Sequence, residues 1–163
     1  RLIDILQTTQ MKKLPKINVE GSKGTGMLQL SDLHFNELVN IENNRYDFDI
    51  AAKRLSTLVR KAKVYFKAFG VKKVFIAITG DLMNSDRRLD ELLSAATNRA
   101  GATFIGVEIL RQLIDDLRED FEISLGCVSG NESRAGQGIG FIISCIICTK
   151  ERQMLILLLW KIH

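Results

Sequence analysis

Three short segments of the sequence carry side chains that could bind a metal ion or a phosphate group. Asp32 and His34 form an Asp-x-His pair, Asp81 directly follows Gly80, and residues 130–134 add an amide, a carboxylate and a guanidinium. Carboxylate, imidazole and amide ligands together suit manganese, iron or zinc better than calcium. Asp32 and Asp81 would repel by about 4 kcal/mol at a separation of about 4 Å and an effective dielectric of 20, so a cation is the natural compensation. The sequence predicts a metal site if the fold brings these segments together.

Each of these segments follows a run that is typical of a β-strand. The runs are Met27–Leu33, Val74–Ile78 and Phe121–Ser129. Short runs of β-branched and aromatic residues are typical of strands in a buried parallel sheet, and ligands collect at the carboxyl ends of such strands. In an extended Asp-x-His segment the two side chains would lie on the same side of the chain. Two ordinary alternatives stay open, namely a capping Asp beside a structural His in the first segment and a simple turn in the second.

The clearest predicted helix lies between the first two strands, over Tyr46–Phe69. Asp47 or Asp49 can cap its start, and Gly70 suits the left-handed position after its end. Apolar residues recur at helical spacing at Phe48, Ala52, Leu55, Val59, Ala62, Phe66 and Phe69. The opposite face carries Lys53, Arg54, Arg60, Lys61 and Lys63, which we interpret as a solvated face.

The segment between the second and third strands also has helical periodicity. A short helical pattern follows Asn84, Gly101 marks a predicted break, and a further helix is predicted over Ala102–Glu119. Its predicted buried stripe is Ile105, Ile109, Leu110, Leu113, Ile114 and Leu117. Strands that alternate with helices form parallel pairs, so the sequence predicts an α/β fold with a parallel βαβαβ core.

The three polar segments resemble the first three motifs of the calcineurin-like metallophosphoesterases. Ser31–His34 is similar to Asp-x-His, Gly80–Asn84 to Gly-Asp-x-x-Asp/Asn, and Gly130–Glu132 to Gly-Asn-His-Asp/Glu, in the same order and at comparable spacing. The resemblance covers residues 27–134. It implies that the βαβαβ core is the first half of the αββα sandwich of that family.

The resemblance also implies which residues would act in a two-metal hydrolase of phosphate mono- or diesters. Asp32 and His34 would bind one manganese, iron or zinc ion, Asp81 would bridge two ions, and Asn131 would bind the second. Asp81, Asn131 and Glu132 are the catalytic candidates. We expect Asn84 to shape its loop rather than to bind metal. The substrate is a phosphate ester, and nucleic acid, nucleotide and phosphoprotein stay open.

The sequence departs from the family pattern in two respects. Glu132 stands where the third motif has His, and the family's later His ligands are absent, because the chain has only His34 and His163. Loss of one supporting contact at a metal site costs about 10–100-fold in affinity or activity, so we expect an incomplete site. An inactive remnant or a binding module that keeps the fold is the alternative.

The chain divides into an N-terminal extension over residues 1–26, the partial domain, and an atypical apolar tail over residues 135–163. The tail has no Asp, one Glu and no clear periodicity, and we interpret it as a frameshifted or foreign ending. A pair of apolar strands used by the sheet is the alternative. Ile139–Cys148 is too short to span a bilayer, and joining it to Met154–Trp160 would bury charged residues, so we expect no stable membrane insertion and rank a membrane-associated protein lowest.

Composition sets few further limits. The formal charge of +4 is compatible with a polyanionic substrate but does not argue for one. Cys127, Cys145 and Cys148 are too few and too irregularly spaced for a disulfide framework, which favours a reducing, cytoplasmic compartment. Because the sequence begins with Arg1, we expect a fragment of a longer reading frame. The sequence does not indicate an oligomeric state.

Overall fold

The computed structural model describes residues 24–84, 89–128 and 130, together with the backbone of residues 155–158. The elements in chain order are β1 (Thr25–Leu30), β2 (Val39–Ile41), β3 (Asn44–Tyr46), α1 (Phe48–Ala68), β4 (Lys73–Ile78), α2 (Leu89–Leu93), α3 (Arg99–Arg118), β5 (Glu122–Cys127) and β6 (Leu155–Leu158). Among the helices of these ranges, none combines the length and the apolar character that a membrane crossing requires.

The main sheet is parallel, with the strand order β1-β4-β5-β6. Leu30 lies opposite Ile78, and Ile78 lies opposite Cys127, so β1, β4 and β5 end at the same edge of the sheet. The α/β class and the parallel β1-β4-β5 core are therefore confirmed. Strand β6 belongs to the apolar tail. The other apolar run of the tail, Ile139–Cys148, lies outside the described residues. That the tail is a frameshifted or foreign ending stays a prediction.

The burial of the strands explains why these runs form a sheet. In β1 the exposed and buried residues alternate, whereas in β4 Ile76, Ala77 and Ile78 are buried in succession. The second pattern is that of a strand covered on both faces. Gly26 is the close-packing position of β1, because a Cβ there would lie 2.8 Å from the Phe66 ring of α1. The same ring packs edge-on against Phe121, with centroids 5.8 Å apart.

Helix α1 was predicted correctly in its caps but not in all of its contacts. Asp47 accepts a hydrogen bond from the Ile50 N–H at 2.8 Å, and Gly70 has a φ of 64°, as the capping pattern predicts. The predicted first residue, Tyr46, instead belongs to β3. The predicted stripe was wrong at its end, because Phe69 is 50% exposed. The buried residues are Ala51, Leu55, Val59 and Ala62.

Helix α3 shows that the predicted break at Gly101 was wrong. Asn98 caps the helix, and its side chain accepts a hydrogen bond from the Gly101 N–H at 2.9 Å. Gly101 therefore lies in the first turn, where the capping bond offsets the low helix propensity of glycine. Ile105, predicted to be buried, is 40% exposed. The buried residues are Ala102, Gly106, Leu110, Leu113, Ile114 and Leu117.

A short hairpin and a short helix also differ from the prediction. Strands β2 and β3 pair antiparallel, with Val39 opposite Tyr46 and Ile41 opposite Asn44, where no strand was predicted. The helical pattern after Asn84 gives only α2, which has five residues and buries none of them. Both elements are too short to produce a reliable periodicity in the sequence.

Helices α1 and α3 are joined by ion pairs that the sequence did not predict. Lys63, interpreted as part of a solvated face, contacts Asp116 and lies 3.1 Å from Asp120, while Lys67 lies 2.6 Å from Asp120. Hydrogen bonds from Lys67 and Lys63 hold the pKa of Asp120 below its ordinary value. Lys63 therefore ties the two helices together instead of lying free on a solvated face.

Acid should weaken the fold partly through Asp120. A carboxyl whose pKa is lower in the folded than in the unfolded state stabilises the fold above its unfolded pKa, and this stabilisation is lost as pH falls through the folded value. We expect the wild-type free energy of unfolding to fall more than that of Asp120→Asn below about pH 4. Urea unfolding at pH 6, 4 and 3 measures the difference, and Asp49→Asn, an exposed carboxyl in α1, is the control. Equal losses for wild type and Asp120→Asn would contradict the prediction.

Candidate functional site

The loops that follow β1 and β4 lie side by side and are joined through their backbones. The Thr79 N–H donates to the Leu30 carbonyl at 2.9 Å, and the Asp32 N–H donates to the Gly80 carbonyl at 3.2 Å. The His34 N–H donates to the Asp81 carbonyl at 3.2 Å, and the Phe35 N–H donates to the Leu82 carbonyl at 2.9 Å. The parallel register places both loops at the same sheet edge, and the hydrogen bonds continue the pairing beyond the last strand residues. The first and second motifs therefore meet, as the sequence analysis expected.

The backbone at Asp32, His34 and Asp81 is left-handed. Their φ angles are 54°, 42° and 49°, and within the described residues they are the non-glycine residues with positive φ. Asp32 and His34 are thus not in an extended segment. The prediction that strand geometry places their two side chains on the same side of the chain was therefore wrong in its premise. Their N–H groups still donate to the neighbouring loop, at Gly80 and Asp81, while their own backbones leave the extended conformation.

A left-handed backbone costs free energy at any residue with a side chain. The cost is about 1–3 kcal/mol for each such residue, although Asp and His accept the conformation more readily than most others. Such conformations persist where the surrounding structure enforces them, and they concentrate at functional sites. Here the hydrogen bonds between the two loops supply that enforcement at Asp32 and His34.

The imidazole of His34 is oriented by Asn84. Nδ1 of His34 lies 2.9 Å from Oδ1 of Asn84, and Asn84 is buried. The amide oxygen can only accept, so Nδ1–H is the donor of this bond, and in a neutral imidazole Nε2 is then the nitrogen with the lone pair. A second hydrogen bond that fixes the tautomer is the usual support of a metal-binding histidine. Asn84 therefore acts on the site through His34, consistent with a role in shaping the loop.

The tautomer of His34 can be measured directly. We expect long-range ¹⁵N–¹H NMR spectra of the wild-type chain above pH 8 to show His34 protonated at Nδ1, because Asn84 accepts that proton. Asn84→Ala should remove this preference. His163 is the other histidine of the chain, so the variant His163→Gln assigns the signals. A wild-type spectrum with the proton on Nε2 of His34 would contradict the proposed orientation.

The third motif approaches the second at Gly130. A Cβ built on Gly130 would collide with the carboxylate and the backbone nitrogen of Asp81. The Val128 N–H also donates to the Ile78 carbonyl at 2.8 Å, which continues the β4–β5 pairing towards this contact. Asn131, Glu132 and Arg134 lie outside the described residues. Glycine is required at position 130 because the backbone there packs directly on the Asp81 side chain.

The side chains of the first two motifs provide suitable donors, but they do not form a closed ligand shell. Asp32 is exposed and accepts a hydrogen bond from the Ser31 hydroxyl, while His34 is partly buried. Among the residues that the structure describes, no three His, Cys, Asp or Glu side chains are grouped closely enough to hold a metal ion. The donor types, a carboxylate and an imidazole nitrogen, nevertheless suit manganese, iron or zinc.

A cavity of about 390 Å³ adjoins the first motif loop. It is lined by Asp32, Leu33, His34, Glu37, Val39, Asn44, Tyr46, Ala51, Arg54 and Leu55. The hydroxyl of Tyr46 donates to the Leu33 carbonyl, and burial is the main cause that raises the pKa of Tyr46. The guanidinium carbon of Arg54 lies 5.4 Å from the centroid of the Tyr46 ring.

The residues that line this cavity outside the motifs were not predicted from the sequence. Arg54 was interpreted as part of a solvated face, and Tyr46 as the start of a helix. For Arg54 the helical spacing was a usable signal. Arg54 lies three residues after the buried Ala51 and directly before the buried Leu55, so it borders the buried stripe of α1. For Tyr46 there was no local signal, since its position depends on the hairpin.

Comparison with known proteins finds no matching family model, no matching curated protein and no matching solved structure. The residues and their geometry therefore carry the functional interpretation.

Proposed function

We propose that the chain carries the first half of a metallophosphoesterase domain of the αββα type, with a site for metal-dependent hydrolysis of phosphate mono- or diesters that this chain provides only in part. One observation carries the proposal. The three residues matched to metal ligands in the first two motifs, Asp32, His34 and Asp81, have left-handed backbones in loops that are joined to each other. Strained backbones of this kind concentrate at functional sites, which supports a site at these two loops.

The roles of the residues follow from their chemistry. Asp32 and His34 would hold a divalent ion through a carboxylate oxygen and Nε2, with Asn84 fixing the imidazole. Asp81 would share that ion, and Asn131 would offer an amide oxygen for a second one. A bound divalent ion polarises phosphate oxygens and makes hydroxide available near neutral pH. Glu132, matched to the family's catalytic histidine, carries a carboxylate, which accepts rather than donates protons at neutral pH.

Phosphate binding tests the proposed function directly. We expect orthophosphate to bind the full chain in the presence of manganese, and we expect binding to be lost with EDTA or in Asp32→Asn. Calorimetric titration of orthophosphate into the manganese-loaded chain measures it. Asp49→Asn changes an exposed carboxyl in the first turn of α1 and serves as the matched control. Binding that is equally strong with EDTA would contradict the proposal.

Turnover should be weak. We expect hydrolysis of bis(p-nitrophenyl) phosphate at pH 7–8 with manganese to stay close to the rate of the Asp81→Asn variant. Loss of a single supporting contact at a metal site already costs about 10–100-fold, and here a histidine is replaced and further ligands are absent from the sequence. Release of nitrophenolate gives the rate. Fast manganese-dependent hydrolysis that Asp81→Asn abolishes would show that the site is complete.

An inactive binding module is the second candidate function, and Glu132 favours it. The family pattern has a histidine at that position, and a carboxyl with an ordinary pKa does not donate a proton at neutral pH. Manganese-dependent phosphate binding without any turnover in Glu132→His would support this second candidate. Recovery of hydrolysis in that variant would support the phosphoesterase instead.

A cytoplasmic location is part of the proposal. It is supported by the use of cysteine, because Cys127 is a free thiol buried at the end of β5. Burial raises the pKa of Cys127 to about 11, so the thiol is neutral and unreactive near pH 7.

A further inference from the structure

The cavity beside the first motif loop is not used by the proposed hydrolysis. Its volume of about 390 Å³ lies within the range of small-molecule sites, which is about 300–1,000 Å³. Asp32 and His34 form part of its lining, and hairpin β2–β3 and helix α1 supply further residues. A phosphate ester held at Asp32 and His34 would therefore have this cavity next to its phosphorus atom. The cavity is in a position to receive one of the organic groups of the ester.

Arg54 provides a flat surface at the cavity. Its guanidinium lies over the ring of Tyr46, and the Tyr46 hydroxyl is held by the Leu33 carbonyl. The Arg54 side chain is exposed, and within the described part of the chain no carboxylate lies within ion-pair distance of it. A guanidinium that lies over one ring leaves its outer face open, and a guanidinium plane can stack a planar group. Arg54 is thus arranged to receive a planar ligand.

The other polar side chains of the cavity select against a charged ligand. Glu37 supplies a carboxylate acceptor, and Asn44 supplies an amide that both donates and accepts. The lining carries the carboxylates of Glu37 and Asp32 as well as the guanidinium of Arg54. An anionic organic group of the ester would therefore gain no net electrostatic attraction in this cavity. A neutral ring with hydrogen-bond donors and acceptors on its edge fits this lining better, and a nucleobase is such a ring.

We propose that the cavity binds the base of a nucleotide, with the base stacked on Arg54 and its edge facing Glu37 and Asn44. That the bound base belongs to the substrate rests on the proposed phosphoesterase function. Binding of the base itself does not depend on a metal ion. The two inferences can therefore be tested apart.

The test uses nucleosides, which lack a phosphate group, and EDTA to remove metal ions. We expect adenosine or guanosine to bind the full chain in saturation-transfer NMR and titration experiments. Arg54→Ala should weaken binding at least about fivefold, because stacking of a base on a planar group has an effect of at least this size. Arg54→Lys keeps the charge but loses the plane and should weaken binding similarly. Arg60→Ala, an exposed arginine on the same helix, is the matched control and should bind as wild type does.

Several outcomes would overturn the proposal. The first is that no nucleoside binds. The second is that Arg54→Ala binds nucleosides as the wild type does while circular dichroism shows an intact fold. The third is that a phosphoserine peptide binds more tightly than a nucleoside monophosphate. If nucleosides bind but orthophosphate with manganese does not, the base site stands and the proposed function fails. If orthophosphate binds with manganese but nucleosides do not bind, the proposed function stands and the base site fails.

Discussion

Titration of the full chain with manganese should reach at most one bound equivalent, and Asp81→Asn should weaken its binding by at least about 10–100-fold. In the proposed function one ion would be held by Asp32, His34 and Asp81 once their side chains close on it, whereas a second ion would have only the shared Asp81 and the neutral amide of Asn131. Bound metal can be followed by calorimetry or by the electron paramagnetic resonance signal of free manganese. Asparagine accepts the left-handed backbone of position 81 as readily as aspartate does, so the variant changes the charge and not the loop.

The control for this titration is Asp49→Asn, which should bind manganese as the wild type does. Asp32→Asn should weaken binding to a similar extent as Asp81→Asn, because each variant removes one of the two carboxylates. Two tightly bound equivalents would contradict the predicted stoichiometry. They would indicate that segments outside the described residues supply further ligands.

Phe35→Ala should lower the free energy of unfolding by about 3–5 kcal/mol, the usual result of emptying a fully buried aromatic site. Phe35 has no exposed surface, and its N–H donates to the Leu82 carbonyl at 2.9 Å. Its ring packs so closely on α3 that a Cβ at Gly106 would lie 2.9 Å from it. Urea unfolding followed by circular dichroism measures the loss, which should exceed that of any variant of an exposed residue.

The matched control is Phe104→Ala on α3, where the same side chain is 74% exposed. We expect its effect to stay within about 0.5 kcal/mol, as is usual for surface positions. A similar loss in both variants would mean that the Phe35 ring is not a core contact. Since Phe35 directly follows His34, the unfolding experiment also reports how firmly the first motif loop is held to the domain.

Elements with a local pattern were predictable, and elements set by distant contacts were not. The apolar run Val74–Ile78 and the capped helix between β3 and β4 are encoded within their own sequences, and both were found nearly in place. Hairpin β2–β3 has three-residue strands with polar residues such as Asn40 and Arg45, so it has no run to detect. Gly101 was misjudged because a glycine in a first helical turn looks the same in sequence as a glycine that ends a helix.

The meeting of the first two motif loops could be predicted from the sequence, but their backbone geometry could not. The order of the motifs and the parallel topology were sufficient to expect that Asp32, His34 and Asp81 lie in neighbouring loops. Their left-handed backbones could not be derived, because hydrogen bonds between two loops enforce them. The contact between His34 and Asn84 likewise joins residues 50 positions apart. The sequence contained one hint, namely that Asp and His accept this conformation better than most residues.

The separation of the two motif loops along the chain also has a consequence for the order of folding. The loops can join only when β1 and β4 have paired. That pairing closes a chain segment of about 50 residues, which contains the hairpin and α1. Closing such loops is slow in parallel sheets, because the entropy is lost before the contacts form. We therefore expect the contacts between the two loops to form late in folding. A ligand bound there should slow unfolding of the domain while leaving its rate of folding almost unchanged.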